Sequence, residues 1–465
     1  MIQTDDSEGM AGSSFRDPSG FVFSRDGVIF RQVNSLYKAE YDHLMSSGLY
    51  CSLVDEGLLI PHEESDPSYA HSRDAYQIIR PQRVPFISYP YEWCFSEVRD
   101  AALLTLRIQK KALDYGMSLK DCNAFNIQFV QGRPILMDTC SFELYREGYP
   151  WVAYRQFCQH FVAPLALMAH TDIRLNQLSR LFIDGIPMDL TTTLLPIRAR
   201  LNFRLFFHIT GHSICQRYFA KRVIAGRSLR ERMTRPALVF LIERLESVVN
   251  KLIWKPHRSE WTGYYDDTAY APESVTHKHE LVSEYLKILR PRTLWDLGAN
   301  TGLFSRVAGA KGIATVSMDA DASCVELSYL KVKRNRELNI LPLVIDLTNP
   351  SPTLGWANQE RMSLMQRGPA DTILALALIH HLAIGNNVPF NRIALFLRKL
   401  APTLIIEFVP KSDVRVQRLL ATREDIFSQY TQSSFQCEFA KYFVIQRSDR
   451  ITQSERLLFL MREIK

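Results

Sequence analysis

A glycine-containing segment in the carboxy-terminal half, Thr293–Ser305 (TLWDLGANTGLFS), is the first candidate for binding chemistry. An apolar run ends in Asp296, passes through Gly298 and Gly302, and continues as an apolar-spaced stretch, which predicts strand, tight turn and helix. Glycine at these two positions permits positive φ angles and close approach of a ligand to the backbone. The spacing is G-x-N-x-G, which differs from the G-x-G-x-x-G of dinucleotide-binding folds.

Two acidic residues follow the next predicted strands. Residues 312–318 form an apolar strand that ends in Asp319, and residues 341–345 form another that ends in Asp346. A carboxylate at the end of the second strand can accept hydrogen bonds from both hydroxyls of a ribose. Asp346, or the neighbouring amide of Leu347, would reach an adenine edge. The pattern therefore predicts a nucleoside-containing cofactor at the carboxyl ends of the strands.

A histidine pair and a glutamate follow the fourth and fifth predicted strands. His380 and His381 stand directly after the fourth strand, and Glu407 ends the fifth. One histidine could act as a general base, and Glu407 could hold the substrate or the other histidine. The simpler interpretation is that one histidine packs inward and only the other faces the pocket. The pair, Asp346 and Glu407 could also form a metal site, which we do not favour.

Strands and helices alternate from residue 293 to the end of the chain, where two last strands form an antiparallel hairpin. This order predicts a doubly wound, seven-stranded α/β sheet. With the motifs above, residues 261–465 resemble the class I S-adenosylmethionine-dependent methyltransferases, a Rossmann-like fold. The resemblance implies S-adenosylmethionine as the cofactor, bound by Asp296, Gly298, Asn300, Thr301, Gly302, Asp319, Asp346 and Leu347, with Tyr265 and Tyr270 as candidates for an aromatic lid.

The resemblance also narrows the acceptor. The methyl group of the cofactor is already activated, so the enzyme must align a nucleophile and remove its proton where needed. The fourth strand carries neither the Asn-Pro-Pro-Tyr of base-amine methylation nor the Pro-Cys of cytosine C5 chemistry. We therefore predict methyl transfer to a small-molecule, glycan or specialised-metabolite acceptor.

Three residues in the amino-terminal half have a spacing that suits phosphoryl transfer. Asp121 and Asn126 stand five apart, and Asp138 follows a short predicted hairpin. In such a trio, the first Asp orients or deprotonates a hydroxyl, while Asn and the second Asp hold Mg²⁺ against phosphates. Asp and Asn are also common turn and cap residues, so the spacing leaves a structural role open.

The elements around this trio resemble the protein-kinase and aminoglycoside-phosphotransferase superfamily. A hairpin around Asp26-Gly27, a hinge-like YPYEW segment and a long helix over 95–115 precede the trio. The resemblance implies an α+β kinase-like domain with a helical second lobe over 21–255, and ATP and Mg²⁺ as ligands. An ATP-dependent kinase fused to a methyltransferase would be a bifunctional enzyme.

The same region departs from that superfamily at several positions. Arg31 stands where kinases carry a phosphate-binding Lys, and Lys120 precedes Asp121 in place of Arg. Thr139-Cys140 replaces Phe-Gly, and no glycine-rich loop precedes the second strand of the hairpin. These departures favour a catalytically degenerate lobe that binds a ligand or acts as a scaffold.

The whole chain resembles a two-part family that includes the NoeA-type nodulation proteins. The sequence segments that carry this resemblance are SLKDCNAFNIQF, YPWVAYRQFCQHF, LALIHHLAI and LIIEFVPK. Members of this family are usually described as methyltransferases because of the carboxy-terminal domain, so the resemblance does not identify an acceptor.

Length and composition are those of a globular protein with several domains. The chain has 465 residues, 46% of them apolar and 23% charged, which excludes disorder throughout. We expect a disordered tail at 1–20, the kinase-like domain at 21–255 and the methyltransferase domain at 256–465. Eight scattered cysteines, no signal peptide and no long apolar run predict a soluble cytoplasmic protein without disulfides or a membrane span. The oligomeric state cannot be read from the sequence.

A basic stretch raises a further alternative. Residues 198–235 contain ten Lys and Arg residues and one acidic residue, Glu231. Such a surface could bind RNA, another nucleic acid or lipid headgroups, and with RNA as the acceptor the chain would be an RNA-modifying methyltransferase. Helices with solvated basic faces explain the composition equally simply, and we favour that explanation because the sequence contains no RNA-binding motif.

Overall fold

The computed structural model describes residues 9–10, 14–211, 233–256, 261, 272–421 and 423–464. The chain forms two compact units. The carboxy-terminal unit contains Pro256–Pro352 and Met362–Lys465. The amino-terminal unit contains Thr4–Lys255 and, in addition, Thr353–Arg361, a segment that no sequence pattern had assigned to it.

The amino-terminal unit begins with a five-stranded antiparallel sheet of order β1-β2-β3-β5-β4. Asp26 and Gly27, with φ angles of 52° and 72°, turn the chain between β2 and β3, as the sequence predicted. The five strands are β1 Gly9–Met10, β2 Gly20–Arg25, β3 Val28–Asn34, β4 His62–Ser65 and β5 Ala75–Pro81.

Part of the region expected to be disordered has a defined structure. Gly9 and Met10 pair with β2, and the Ser14 hydroxyl accepts a hydrogen bond from the Val22 amide at 2.8 Å. Residues 9, 10 and 14 are thus attached to the sheet, although the Ser, Gly and Asp content of this region is typical of unstructured chain.

The second part of the amino-terminal unit combines one long helix with short strands and helices. Phe95–Asp114 begins where the Cys94 amide donates to Glu97 Oε2 at 2.8 Å, and it ends before Gly116, whose φ is 72°. The short strands are β6 Met117–Leu119, β7 Ile127–Val130, β8 Arg133–Leu136 and β9 Phe142–Leu144. The α-helices of this unit are Lys38–Ser46, Leu49–Asp55, Phe95–Asp114, Tyr154–Phe157, Ala163–His170, Leu178–Leu181, Met188–Leu194, Ile197–Arg200, Phe203–Phe206 and Arg235–Lys251, and Cys158–Val162 and Phe207–Gly211 are π-helical.

The carboxy-terminal unit contains the predicted seven-stranded mixed sheet. Its strand order is β12-β11-β10-β13-β14-β16-β15, with β10 to β14 parallel and β16 antiparallel to both its neighbours. The strands are β10 Thr293–Leu297, β11 Ala314–Asp319, β12 Ile340–Val344, β13 Thr372–Ala375, β14 Thr403–Phe408, β15 Phe443–Arg450 and β16 Leu457–Glu463. The α-helices are Pro272–Leu289, Leu303–Gly309, Ala322–Asn335, Phe390–Leu400, Val414–Leu420 and Gln432–Phe439, and His381–Gly385 is π-helical.

The central strands are buried on both faces, which explains their nearly continuous apolar sequence. Every residue of β13 and β14 is buried. The helix Pro272–Leu289 covers one face through Val282 and Tyr285, which are fully buried. Strand order reverses at β10, and a crevice forms at the carboxyl ends of the strands on either side of such a point.

The basic stretch 198–235 is only partly described, because residues 212–232 lie outside the described part of the chain. Both interpretations of this stretch, a solvated basic face and a surface that binds nucleic acid or lipid, therefore stay predictions. No helix in the described ranges is both long enough and apolar enough to cross a bilayer.

Gln109 provides a test of how the long helix fixes the loop that leads to Asp121. Its buried side chain accepts a hydrogen bond from the Leu119 amide at 2.6 Å and donates to Ser118 Oγ at 3.0 Å. Gln109→Leu should lower the free energy of unfolding by about 1–3 kcal/mol, because the Leu119 amide loses its partner. Calorimetric unfolding measures this loss. Lys110→Ala, which removes an exposed ion pair with Glu243, is the control and should change stability by about 0.5 kcal/mol or less.

Candidate cofactor site

A cavity of about 250 Å³ lies in the carboxy-terminal unit at the carboxyl ends of β10 to β13. Its walls come from the glycine turn after β10, from the ends of β11 and β12, and from the segment after β13. The predicted site residues that line it are Asp296, Gly298, Asn300, Asp319, Asp346, Leu347 and His381. The cavity therefore lies where the order of predicted strands placed a cofactor.

The glycine turn requires its glycines for two different reasons. Gly298 and Gly302 have φ angles of 72° and 76°, which favour glycine. A Cβ atom on Gly298 would lie 3.1 Å from a methyl group of Leu378, and one on Gly302 would lie 2.7 Å from Ser328 Oγ. Thr301 and Gly302 are not among the described residues that line the cavity, so they shape the turn from behind it.

Asp319 connects the turn to the end of β11. Its Oδ2 accepts a hydrogen bond from the Asn300 amide at 2.7 Å, and its Oδ1 accepts one from the Asp321 amide at 2.8 Å. Burial raises the pKa of this carboxyl group despite these two donors. Since each carboxylate oxygen can accept more than one hydrogen bond, both remain able to accept from a diol in the cavity.

Asp346 follows β12, the strand next to β11. Its Oδ1 accepts hydrogen bonds from the amide and the hydroxyl of Thr348, at 2.8 and 2.7 Å. The exposed Asp346 side chain lines the cavity together with Leu347, which is half-buried.

Asp296 is buried at the base of the turn. Its Oδ2 accepts a hydrogen bond from Ser305 Oγ at 2.6 Å, and Ser305 also bonds to Ser317 at 3.0 Å. Burial raises the pKa of Asp296 to about 7, the Ser305 hydroxyl opposes the rise, and the nearby Asp319 adds to it. A carboxyl group in this state gains a full charge readily when a cation enters the cavity.

The histidine pair divides between the interior and the cavity. The two ring centroids are 4.0 Å apart, and only His381 lines the cavity. His380 is fully buried, and neither of its ring nitrogens has a hydrogen-bond partner among the described residues. Burial, together with the nearby Arg415 and Arg456, lowers the pKa of His381 to about 4. His381 is therefore a neutral imidazole at pH 7.

Glu407 is buried beside the cavity wall rather than lining it. Its Oε2 pairs with Lys278 and accepts the Ala377 amide at 2.8 Å, and its Oε1 pairs with Arg456 at 3.2 Å. Burial alone would raise the pKa of Glu407, but Lys278 and Arg456 outweigh it and hold the pKa below its usual range. Among the described residues, Glu407 has no hydrogen bond to either histidine.

Lys278 and Trp261 line the cavity and were missed by sequence reasoning. Lys278 is on the buried face of the helix Pro272–Leu289, one turn after Ser274 and two turns before Tyr285. A lysine within an apolar stripe was the signal that could have identified it. Trp261 accepts a hydrogen bond from Asn300 Nδ2 at 2.7 Å through its carbonyl, and its ring meets that of His381 edge to face at 5.0 Å.

The two tyrosines predicted to form a lid, Tyr265 and Tyr270, lie outside the described residues. Their role stays a prediction. The same aromatic-rich segment nevertheless reaches the cavity through Trp261.

The amino-terminal unit brings its predicted trio together. Asn126 Nδ2 donates to Asp121 Oδ2 at 2.9 Å, and burial raises the pKa of Asp121, with the Asp138 carboxylate adding to the rise. Asp138 does not stand free, because Arg31 pairs with it at 2.8 Å and the Cys140 amide donates to it. The guanidinium group of Arg31 therefore pairs with the Asp138 carboxylate, which would have to bind Mg²⁺ in phosphoryl transfer.

In the described part of the chain, no group of three or more His, Cys, Asp or Glu side chains is arranged to hold a metal ion. The four residues considered for such a site, His380, His381, Asp346 and Glu407, do not form such a group. The buried ring of His380 has no hydrogen-bond partner among the described residues, and Glu407 is paired with two cations.

Strand order and cavity together define a methyltransferase-like α/β fold for the carboxy-terminal unit. No known protein-family profile matches the chain. Over 458 residues it is 35% identical to nodulation protein NoeA of Rhizobium meliloti (strain 1021), covering 97% of this chain and 95% of the relative. The chain therefore belongs to the NoeA family of nodulation proteins.

Solved structures overlap with part of the chain. Magnesium protoporphyrin IX methyltransferase (ChlM) from Synechocystis PCC 6803 with bound SAH is 16% identical, with a TM-score of 0.31, covering 41% of this chain and 84% of that chain. N-methyltransferase NodS from Bradyrhizobium japonicum WM9 is 11% identical, with a TM-score of 0.31, covering 42% and 98%. Overlaps of this extent do not by themselves support a conclusion about activity.

Asp296 provides a test of site electrostatics by pH. With the native pKa near 7, native Asp296 keeps its proton between about pH 4 and 7 while the unfolded chain loses it. The native state then binds more protons, so wild-type stability falls as pH rises through this window. The melting temperature of Asp296→Asn relative to wild type should therefore rise from pH 5 to pH 8.

Asp425→Asn is the matched control for this measurement. Lys411 lowers the pKa of Asp425, so removal of its charge should bring no gain at pH 8. If the difference in melting temperature between Asp296→Asn and wild type is the same at pH 5 and pH 8, the assignment of a raised pKa to Asp296 is wrong.

Proposed function

We propose that this chain is an S-adenosylmethionine-dependent methyltransferase that acts on a small-molecule, glycan or specialised-metabolite acceptor. The observation that carries the proposal is the placement of Asp319. This carboxylate ends the second strand of the sheet, is bonded to the glycine turn, and faces a cavity at the point where strand order reverses. Such a position suits the two hydroxyls of a ribose.

The residues around the cavity fit the rest of this cofactor. Gly298 lines the cavity without a side chain, so a ligand can approach the backbone there. Asp296 and Asp319 supply the negative charge that suits a cation. Asp346 and the Leu347 amide would hold the adenine edge, and Asn300 and Thr301 would complete the turn that surrounds the cofactor. The cofactor, when bound, supplies a methyl group activated by a sulfonium.

His381 is the proposed general base. Its imidazole is neutral, lines the cavity and lies beside Trp261, so it can accept a proton from an acceptor hydroxyl or amine. The His380 ring lies against it from the interior, tilted by 41°. For Glu407 we propose below a role other than direct contact with the acceptor.

For the amino-terminal unit we propose a kinase-like fold without phosphoryl transfer. The sheet order β1-β2-β3-β5-β4, the long helix and the convergence of Asp121, Asn126 and Asp138 support the fold. The ion pair between Arg31 and Asp138 argues against Mg²⁺ binding. A bifunctional enzyme remains the second candidate, since the residues of the trio lie together.

Binding of S-adenosylhomocysteine to the full-length protein, measured by calorimetry, tests the main proposal. Wild type should bind it, and Asp319→Ala should bind it at least about tenfold more weakly, because charged hydrogen bonds to the ribose are lost. Asp425→Ala, on the exposed surface, is the matched control. A wild-type protein that does not bind this ligand would refute the proposal. Transfer of labelled methyl into a metabolite extract, with Asp296→Ala as the blank, would identify the acceptor.

His381→Ala tests the base. Turnover should fall by about 100-fold or more while the affinity for S-adenosylhomocysteine changes little, because the lost group acts on the acceptor proton. Steady-state kinetics with the identified acceptor and calorimetry separate the two effects. Loss of cofactor binding in this variant would instead show that His381 maintains the shape of the cavity.

The melting temperature with ATP and Mg²⁺ tests the amino-terminal unit. Because Arg31 occupies Asp138, millimolar ATP and Mg²⁺ should leave the wild-type melting temperature unchanged. A rise in wild type that disappears in Asp138→Ala would instead establish the bifunctional alternative.

A further inference from the structure

Glu407 is at the meeting point of four separate segments of the carboxy-terminal unit. It lies in the last part of β14, and its partners are Lys278 from the helix Pro272–Leu289, the Ala377 amide after β13, and Arg456 before β16. Arg456 continues to Asp413, with its Nε 2.7 Å from Oδ2 and its second amino group 3.1 Å from Oδ1. Positive and negative groups thus alternate from Lys278 in the cavity wall, through Glu407 and Arg456, to Asp413.

This sequence of charges leaves little freedom for the Glu407 side chain. Glu407 is fully buried, and Lys278 and Arg456 retain only 4% and 2% side-chain exposure. Both carboxylate oxygens already have partners, and the residue does not line the described cavity. A carboxylate that is paired in this way can orient a neighbouring group more readily than it can bind an acceptor.

The neighbouring group is the backbone of Ala377. Ala377 has a φ angle of 48°, in the left-handed region that residues other than glycine rarely adopt. Its amide donates to Glu407 Oε2, so the unfavourable conformation coincides with a hydrogen bond to a buried charge. Strain of this kind persists only where the surrounding structure holds it.

The conformation of Ala377 determines one wall of the cavity. Leu376, Ala377 and Leu378 all line the cavity, and Leu378 packs against Gly298 of the glycine turn. The Leu378 carbonyl also accepts the His381 amide at 3.0 Å, which places the start of the histidine segment. A change in φ at Ala377 would move both the wall and the histidine.

We propose that Glu407, held by Lys278 and Arg456, is a positioning residue that keeps Ala377 in its left-handed conformation and so shapes the cavity for the cofactor. This inference rests on the proposed function, since it concerns affinity for the methyl donor. It assigns to Lys278 an indirect role through Glu407.

A double-substitution cycle in the full-length protein tests this assignment. The double variant Lys278→Gln, Glu407→Gln removes both charges of this ion pair, so neither residue is left as an unpaired buried charge. Arg456, the other partner of Glu407, still pairs with Asp413. With Ala377 unchanged, the two substitutions should weaken S-adenosylhomocysteine binding about tenfold. This factor corresponds to the free energy that an alanine residue needs to adopt the left-handed conformation. In the Ala377→Gly background, the same pair should weaken binding by no more than about twofold, since glycine adopts this φ without steric cost.

Amide hydrogen exchange provides a readout that does not depend on the cofactor. The Ala377 amide should be protected in the wild type and should exchange faster in the double variant. Arg336→Gly is a control, because Arg336 also has a positive φ, 54°, but caps a helix away from the cavity. It should not reduce the effect of the double substitution.

The outcomes distinguish a failure of the proposed function from a failure of the positioning role of Glu407. If the wild type does not bind S-adenosylhomocysteine, the proposed function fails. If the wild type binds and the double substitution weakens binding equally with and without the Ala377→Gly substitution, Lys278 or Glu407 contacts the cofactor directly and the positioning role is wrong. If the double substitution changes neither affinity nor exchange at Ala377, the positioning role is also wrong.

Discussion

The arrangement of the carboxy-terminal site depends on the ion pairs that Glu407 forms with Lys278 and Arg456. Taking a glutamate out of water is costly, and here the cost is offset by two cations and one amide. Each partner comes from a different segment of the sequence, and through Lys278 the charge joins the helix Pro272–Leu289 to the end of the sheet. The cavity lies next to this junction, with Lys278 and Ala377 in its wall.

The sequence predicted the parts of this unit that depend on local pattern. Apolar strands separated by helices predicted seven strands with a terminal hairpin, and the acidic residues predicted at the ends of the first three strands do line the cavity. Glycine spacing identified the turn because positive φ angles favour glycine. These features follow from periodicity and from backbone sterics, which are readable without knowledge of the fold.

The partners of Glu407 could not be predicted because they depend on packing between distant segments. Lys278 precedes it by 129 positions, and the pairing follows only once the helix Pro272–Leu289 lies against the sheet. The left-handed Ala377 gave no sequence signal, because alanine is not a residue expected there. The division of the histidine pair, one buried and one at the cavity, likewise depends on how the π-helical segment His381–Gly385 packs.

In the amino-terminal unit, spacing identified Asp121, Asn126 and Asp138, and the structure brings them together. The sequence also showed that Arg31 replaces a lysine, but not that this arginine would pair with Asp138. A planar guanidinium group can hold a carboxylate more rigidly than an ammonium group can.

The assignment of Thr353–Arg361 to the amino-terminal unit affects how this protein can be divided. Within that unit, Arg16 bonds to Glu360 at 2.6 Å, and the Arg361 guanidinium lies 4.4 Å from the centre of the Phe125 ring. The amino-terminal fold therefore includes residues that are encoded between two strands of the other unit. A single cut near residue 255 would leave one fragment without part of its own structure and the other with nine residues that belong elsewhere. The two units therefore cannot be separated by one cut in the chain, and fragments divided near residue 255 would each differ from the unit that the structure shows.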